Sequence, residues 1–349
     1  MCLVLTVDLA RVSFARFAVP PAAGEVWDGD EREIGFPATQ LVPSWTARTP
    51  PGAWLEVALR ARVASGALTK WYVMGRWSEH GGPRTSVPGQ GDEHGDVAVD
   101  TFVARSPVTA YQVRVIRHGP ARVTGLGVMA SAVPRRPVAP SAPLAAEPVE
   151  LAVPRLWQHA HAGHHPRFDG GGANWCGPAS TAMVLGFWGR GPGPEELAWV
   201  GADDPAPVVD HAAMGAYDES YQGTGNWPFN VAYAGRYGLA GFVTRLRSAA
   251  ELESFVRAGV PVITSQSFRA HELPAAGYST NGHIHVVVGF TAGGDVVVHD
   301  PAVPGGEVRR VHPRAAFENV WLRGSGSGGI AYVLHPPGHP LPPSMYGNW

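Results

Sequence analysis

Two kinds of hydrophobic pattern divide the chain. Between residues 36 and 130, strand-length runs rich in Val, Tyr, Phe and Trp partly alternate with polar positions, and Gly, Pro and Asp separate the runs. The runs are 54–61, 70–77, 97–103 and 110–116. This spacing is typical of a β-sandwich. We therefore predict an N-terminal β-sandwich domain over 36–130, preceded by an unassigned segment, 1–35.

From residue 155 onward the pattern is mixed. Helical periodicity and capping signals predict helices, and apolar runs between turn residues predict strands. The helices are expected near 178–188, 194–200, 228–237 and 248–258, and the strands near 240–246, 260–267, 283–290, 295–299, 307–312 and 329–334. The fold class predicted for 155–340 is α+β, followed by a tail, 341–349.

A proline-rich segment, 131–154, separates the two patterns. Its prolines, set among Ala, Val and Ser, are Pro134, Pro137, Pro140, Pro143, Pro148 and Pro154. Proline fixes the backbone torsion φ and offers no N–H donor, so such a segment stays extended and resists packing. We predict that it is a linker between two domains.

The segment from Asn174 to Gly189 predicts a helix that begins at a cysteine. Pro178 suits a first helical turn, where its missing N–H is not needed, and Gly189 is a suitable stop. Cys176 would then lie at the positive end of the helix dipole, where free N–H groups favour an anion. The position therefore favours a thiolate, which is a nucleophile.

A predicted β-hairpin supplies a base for that nucleophile. Two Val-rich runs, 283–290 and 295–299, flank a Gly-Gly-Asp turn. His283 begins the first strand and Asp300 follows the second, so antiparallel pairing brings both to one end of the hairpin. There the carboxylate can hold one imidazole nitrogen while the other faces the thiol. His285 is a second candidate base, because side chains two apart on a strand share a face.

These two segments resemble the papain-like cysteine peptidases of family C39, the group that includes bacteriocin-leader-processing peptidases. The resemblance is carried by the Cys-Gly-Pro helix start and by the Gly-His-Ile-His-Val-Val-Val-Gly strand with its later Asp-Pro. A closer resemblance, to actinobacterial proteins, covers about residues 150–340, with landmarks at 223–230, 243–246 and 258–261. The resemblance implies a papain-like fold for the C-terminal domain and cysteine peptidase activity.

Carried over position by position, the resemblance gives each site residue a role. It makes Cys176 the nucleophile, His283 the general base and Asp300 the residue that orients the base. The family has an oxyanion-hole glutamine shortly before the cysteine. Gln158 is the only glutamine nearby, although it lies further upstream than is usual.

Substrate contacts are expected from polar and aromatic side chains. Asn226 and Trp227 are candidates to line a substrate cleft, although burial in the core is the commoner use of tryptophan. Five N-terminal aromatic residues can form a platform for a glycan or peptide or else pack in the core: Trp45, Trp54, Trp71, Tyr72 and Trp77. The expected partners are a peptide or protein substrate and a cell-surface or glycan ligand of the N-terminal domain.

A run of histidines precedes the cysteine: His159, His161, His164 and His165. Histidine nitrogens bind zinc, but no second cysteine lies nearby and the spacing matches no common zinc pattern closely. A solvated loop is the favoured interpretation. We predict that the protein uses neither a metal nor another cofactor.

Composition excludes several classes of protein. The 349 residues carry a formal net charge of −2, which gives no attraction to nucleic acid or to an anionic membrane. Lys70 is the only lysine and Trp71 follows it, so the chain lacks a phosphate-binding Gly-x-x-x-x-Gly-Lys-Ser/Thr loop. No apolar run reaches the length of about 18 residues that predicts a membrane span.

The two cysteines, Cys2 and Cys176, give no disulfide framework. Residues 1–19 are fairly apolar but contain Asp8, Arg11 and Arg16, and they give no convincing signal peptide. The proteins that the chain resembles are often exported, which tilts the expected localisation toward secretion.

The predicted function is hydrolysis of peptide bonds through a Cys-His-Asp triad and a thioacyl-enzyme intermediate. The same site could transfer the acyl group to an amine or thiol instead of water, and the sequence does not separate these reactions. An alternative from another class is a catalytically inactive binding protein built on the same fold.

Overall fold

The computed structural model describes residues 11–19, 24–133, 138–201, 203–324 and 327–349. Two antiparallel sheets organise these residues, one in each half of the chain. No helix among them is both long and apolar enough to cross a membrane.

The N-terminal half is built from eight strands. They are β1 (Arg11–Arg16), β2 (Val26–Asp28), β3 (Arg32–Arg48), β4 (Trp54–Val63), β5 (Tyr72–Trp77), β6 (Gly95–Ala98), β7 (Thr101–His118) and β8 (Arg122–Ala132). The strand order is β1-β8-β3-β7-β4-β5, with β2 and β6 paired to β7. Register shifts interrupt the pairing of β3 with β7, and such bulges let a strand change partners and bend. The N-terminal half is therefore sheet-rich, as the predicted β-sandwich requires, and its strands are joined in one continuous sheet.

The C-terminal half surrounds a second sheet with helices. Its strands are β9 (Val149–Glu150), β10 (Ala240–Arg245), β11 (Val262–Phe268), β12 (Thr280–Phe290), β13 (Val296–His299), β14 (Arg309–His312) and β15 (Ile330–His335). Its helices are α1 (Cys176–Phe187), α2 (Pro194–Leu197), α3 (Pro207–Ala216), α4 (Trp227–Arg236), α5 (Ala249–Arg257) and α6 (Arg314–Leu322). Short 3-10 helices span Gln158–His161, Gly172–Asn174 and Pro274–Ala276. The strand order is β10-β15-β11-β12-β13-β14, with β9 paired to β12.

The α+β class predicted for this half is confirmed, and each predicted helix and strand is present with small shifts at its ends. Helices α3 and α6 were not predicted. Pro207 occupies the first turn of α3 and Pro313 precedes α6. Proline is favoured at helix starts but also in loops, so Pro207 and Pro313 did not show whether a helix or a loop follows.

Helix α1 lies at the centre of the C-terminal half. Its residues 177–185 are buried all round, not on one face as its sequence pattern suggests. Ser180 Oγ donates a hydrogen bond to the carbonyl of Ile284 on β12, 3.3 Å away. The helix that carries Cys176 is thereby tied to the strand that carries His283.

The two halves share a hydrophobic core. Phe229 on α4 packs edge-on against Trp45 of β3, with ring centroids 6.0 Å apart, and lies 5.4 Å from the Trp77 ring of β5. A Cβ at Gly75 would lie 3.0 Å from both Phe229 and Trp45, so a larger residue there would require these rings to shift. The predicted domains are therefore joined by buried side chains. The boundaries of the predicted domains stay a prediction.

Several predicted platform residues lie in this core. Trp45, Tyr72 and Trp77 are at most 1% exposed. Trp54 instead stacks on His118, and Trp71 lies under the guanidinium groups of two arginines. The alternative use of these aromatic residues, core packing, therefore accounts for three of the five, and a ligand of the N-terminal half stays a prediction.

The proline-rich segment has no helix or strand in its described residues 138–148, but buried side chains hold it. Residues 134–137 lie outside the described residues. The buried Arg314 of α6 donates to the carbonyl of Ser141 and pairs with Glu253 of α5. The Ser141 amide donates to Glu318. The expectation that the segment resists packing is wrong, because buried charged side chains bind it, and its extended backbone stays a prediction.

We predict that Phe229→Ala lowers the free energy of unfolding by about 3–5 kcal/mol, since it opens a cavity between the two sheets. Leu144→Ala, at a side chain 53% exposed, should change it by less than about 1 kcal/mol. Urea denaturation followed by tryptophan fluorescence measures both. Two separate transitions in the unmodified chain, or a loss below about 1 kcal/mol for Phe229→Ala, would contradict a shared core.

Candidate active site

Cys176 is the first residue of α1. The Trp175 indole before it donates to the carbonyl of Phe168 at 2.7 Å, which fixes the chain as it enters the helix. Pro178 lies in the first turn, as predicted. The thiol is partly exposed while the residues that follow it are buried. Amides of this first turn have no carbonyl partner within the helix, so the side chain faces a region that favours negative charge.

A cleft of about 970 Å³ lies over Cys176. The C-terminal half contributes His283, Gln158 and Trp227 to its walls. The N-terminal half contributes residues 98–101, from the turn between β6 and β7. A ligand in the cleft would therefore touch both halves of the chain.

The hairpin of β12 and β13 brings His283 and Asp300 together. Val286 of β12 pairs with His299 of β13. His283 precedes Val286 and Asp300 follows His299, so both lie at the same end of the hairpin, as predicted. His283 Nε2 lies 2.8 Å from Asp300 Oδ1, with both side chains at most 3% exposed. Cys176 lies close enough to His283 to raise the pKa of its imidazole. With Nε2 directed at the carboxylate, Nδ1 is the nitrogen left for the thiol.

Two further groups hold Asp300. The Tyr278 hydroxyl lies 2.9 and 3.1 Å from the two carboxylate oxygens, and the amide of Ala302 donates to Oδ1 at 2.9 Å. Sequence reasoning missed Tyr278, which lies in the loop before β12 and carries no local motif. The only sequence signal for Tyr278 is that a tyrosine lies shortly before the strand that carries His283.

Electrostatics favour a charged pair at His283 and Asp300. Burial alone lowers the pKa of His283, but the Asp300 charge and hydrogen bond, together with Cys176, raise it to about 10. Burial raises the pKa of Asp300, yet the His283 charge and hydrogen bond hold it below its ordinary range. The site therefore favours an imidazolium beside the thiol.

The second candidate base, His285, is in a different environment. Its ring is fully buried and stacks on Phe317 with centroids 5.7 Å apart. Neither ring nitrogen has a hydrogen-bond partner among the described residues. Burial lowers its pKa well below the ordinary value. His283, His285 and Asp300 place ligand atoms within 4.8 Å of one another, but the His283 ring is already engaged by Asp300 and the thiol.

Family models match both halves of the sequence. The Peptidase C39-like family matches residues 150–328, which is more than half of the 349 residues. The chain belongs to the C39-like peptidase family. The Peptidase C39 N-terminal domain matches residues 23–131. The resemblance predicted from the sequence is confirmed, and membership supports a peptidase-type function in general terms.

Solved structures give distant likenesses. A Bacillus anthracis protein provisionally assigned as a C39-like peptidase is 18% identical, with 54% of this chain and 97% of that chain covered and a TM-score of 0.34. The VP2 protein of infectious bursal disease virus is 14% identical, with 35% and 32% covered and a TM-score of 0.18. No curated protein matches the chain significantly. These likenesses are too remote to bear on the site.

In this C39-like chain Gln158 lies in the cleft despite its distance along the sequence. It is 2% exposed and its Nε2 donates to the carbonyl of Ala173 at 2.6 Å. The loop between them folds back tightly, because a Cβ at Gly172 would lie 2.3 Å from the Gln158 carbonyl. An amide nitrogen carries two hydrogens, so one N–H of Gln158 remains for a ligand.

Asn226 and Trp227 take different positions. Asn226 is 1% exposed and caps α4: its Oδ1 accepts from the amide of Phe229, and its Nδ2 donates to Asp218. Its side chain is therefore committed to the helix start. Trp227 lines the cleft, and its amide donates to Asp100 of the N-terminal half at 2.9 Å. Burial raises the pKa of Asp100 to about 6, and the hydrogen bond from Trp227 limits the rise.

The predicted solvated loop is wrong for one of its histidines. His159 lines the cleft, with Nε2 3.2 Å from the carbonyl of Ala302, and His164 and His165 are partly exposed. His161 is fully buried and lies 2.7 Å from Asp210 of α3. Asp210 was not a candidate in the sequence, because α3 itself was not predicted.

We predict that iodoacetamide alkylates Cys176 at pH 6 at least about ten times faster than Cys2, because an imidazolium next to a thiol favours the thiolate. Cys2 lies outside the described residues and serves as the internal reference. Peptide mass spectrometry over a time course measures both rates. In His283→Ala the advantage of Cys176 should disappear. Equal and slow labelling of both cysteines in the unmodified chain would argue against an activated thiol.

Proposed function

We propose that this chain is a cysteine peptidase in which Cys176 is the nucleophile, His283 the general acid and base, and Asp300 the group that orients and charges the imidazole. The observation that carries the proposal is the contact of His283 with Asp300 beside Cys176, with Cys176 and His283 both lining one cleft. Tyr278 and the Ala302 amide act behind it as positioning groups.

The proposed reaction begins from the thiolate and the imidazolium. The Cys176 sulfur attacks the carbonyl carbon of a peptide bond, and the carbonyl oxygen becomes an oxyanion. As the C–N bond breaks, His283 gives its proton to the leaving amine, which yields a thioester on Cys176. Water then attacks the thioester while His283 accepts a proton from it, and the C–S bond breaks to release the acid and restore the thiolate.

The oxyanion needs donors at the start of α1. The backbone N–H of Cys176 and the free N–H of Gln158 are the proposed pair. Gln158 supports this role because it lies in the cleft and retains one unused donor. One such donor contributes about 3 kcal/mol to lowering the barrier, which is roughly a hundredfold in rate.

The cleft suits a polypeptide that lies across both halves of the chain. Trp227 offers an apolar surface on one side, and residues 98–101 of the N-terminal half form another wall. Because buried side chains join the halves, this wall has a fixed position relative to Cys176. We infer that the N-terminal half contributes to substrate selection as part of the cleft.

A peptide library digested with the full chain and read by mass spectrometry tests the proposal. We expect cleavage of peptide bonds by the unmodified chain and none by Cys176→Ala. Products joined to an added amine would instead indicate acyl transfer at the same site. No product, together with a thiol of ordinary reactivity, would contradict the proposal and favour a binding protein.

The same digest separates the two histidines and supplies a matched pair of variants. His283→Ala should lose activity almost as completely as Cys176→Ala, because members of one catalytic unit are not additive. His285→Ala should retain activity per folded molecule and lose mainly stability, since its ring packs against Phe317. Loss of activity in His285→Ala alone would require His285 to be the base.

We predict that Asp300→Asn moves the alkaline limb of the kcat/KM profile to lower pH by more than about one unit. In the unmodified chain the pKa of His283 is raised to about 10, so the imidazolium that protonates the leaving amine persists until about that pH. Removing the Asp300 charge removes the larger of the two contributions that raise the pKa of His283, so burial, which lowers it, is opposed by Cys176 alone.

The control for this profile is Asp100→Asn. It also changes a carboxylate in the cleft, but Asp100 is not among the groups that shift the pKa of His283, so its alkaline limb should stay in place. Initial rates across pH 5–11, normalised to folded protein, give both profiles. An unmoved limb in Asp300→Asn would contradict the assigned role of Asp300.

A further inference from the structure

Two histidines and two aspartates converge where the first 3-10 helix meets α3. His161 ends that helix and His164 follows it, while Asp204 precedes α3 and Asp210 lies in its first turn. The Nδ1 of His161 lies 2.7 Å from Asp210 Oδ2 and 3.5 Å from Asp204 Oδ2. The Nδ1 of His164 lies 3.0 Å from Asp204 Oδ2 and 3.4 Å from Asp210 Oδ1. One potential ligand atom from each residue thus lies within 4.8 Å of the others.

Most of these polar groups are buried without hydrogen-bond partners. The side chains of His161 and Asp210 are 0% exposed and that of Asp204 is 3% exposed. Among the described residues, no hydrogen-bond partner reaches the ring nitrogens of His161, the carboxylate oxygens of Asp210 or Oδ2 of Asp204. Buried polar atoms are almost always paired, so a cluster of unpaired ones points to a bound group.

Charge pairing within the cluster does not satisfy these atoms. His161 Nδ1 is close to Asp210, yet the contact lacks the alignment of a hydrogen bond. In the described ranges, the groups within ion-pair distance of these two carboxylates are histidines, and no arginine or lysine joins them. Two adjacent buried carboxylates without an arginine or lysine require positive charge from protonated histidines or from a bound cation.

We propose that His161, His164, Asp204 and Asp210 bind one Zn²⁺ ion. Tetrahedral zinc with bonds of about 2.0–2.2 Å holds its ligand atoms about 3.3–3.5 Å apart. The four nitrogen-to-oxygen separations, which use both oxygens of Asp210, run from 2.7 to 3.5 Å. Two imidazole nitrogens with two carboxylate oxygens suit zinc better than calcium or magnesium, which prefer oxygen ligands alone. The dication also neutralises both aspartates.

The proposed zinc ion would stabilise the fold. Because of its position, it would also fix part of the cleft around Cys176. Gln158 and His161 are the two ends of one four-residue 3-10 helix. Anchoring His161 to α3 fixes the helix that presents Gln158. This consequence rests on the proposed peptidase function, whereas zinc binding itself does not.

Metal content is the direct test. The full chain is produced in zinc-supplemented medium, desalted and analysed by inductively coupled plasma mass spectrometry. We expect one zinc per chain in the unmodified protein and in Asp203→Ala, whose side chain is exposed and adjacent in sequence. Asp204→Ala and His164→Ala should each lose at least about fivefold in zinc content. Both retain the fully buried His161 and Asp210, so they should still fold. No zinc in the unmodified chain, or equal content in all variants, would overturn the proposal.

Spectroscopy and thermal unfolding check the geometry. Exchange with Co²⁺ should give the intense visible bands of a four-coordinate site, which Asp204→Ala should lack. Removing metal with a chelator should lower the Tm of the unmodified chain and of Asp203→Ala, and leave that of Asp204→Ala unchanged. Equal chelator effects on all three would overturn the site. Cys176→Ala should keep its zinc, so failure of the peptidase proposal would not be mistaken for failure of this one.

Discussion

The buried contact between His283 and Asp300 is the constraint on which the rest of the site depends. Taking two ionisable groups out of water is costly unless their remaining hydrogen bonds are satisfied. Here Tyr278 and the Ala302 amide donate hydrogen bonds to the carboxylate, and Cys176 lies beside the imidazole. All of these partners require the register of the hairpin and the docking of α1 on β12. The geometry of the site is therefore a property of the whole C-terminal fold.

The N-terminal half is part of the same structure and not an appended module. Phe229 lies between Trp45 and Trp77, and the carboxylate of Asp100 accepts from the first amide of α4. Helix α4 is thus packed and capped by side chains from the other half. Because Trp227 begins that helix, one wall of the cleft owes its position to the N-terminal sheet.

Local signals predicted most of the fold, and the structure brings together the three residues that they indicated for the proposed site. A short stretch of sequence indicates Cys176 at a helix start, and another indicates His283 and Asp300 in one hairpin. Tyr278 could not be predicted in the same way, since its contact with Asp300 depends on how a loop folds over the hairpin. The buried Asp204 and Asp210 were missed for a similar reason: their histidine partners lie about 40 residues earlier, before α1.

The side-chain chemistry of Gln158 suggested its role, but its position in the fold could not be predicted from the sequence. A four-residue 3-10 helix has almost no stability of its own, because short helices cannot repay the cost of nucleation. Its placement must come from contacts at its ends. Gly172 packs against the backbone at both ends, where no larger side chain fits, and His161 at the second end is buried beside α3. The histidine run was predicted to be a solvated loop. The burial of His161 within it instead fixes the segment that carries Gln158, the proposed oxyanion donor.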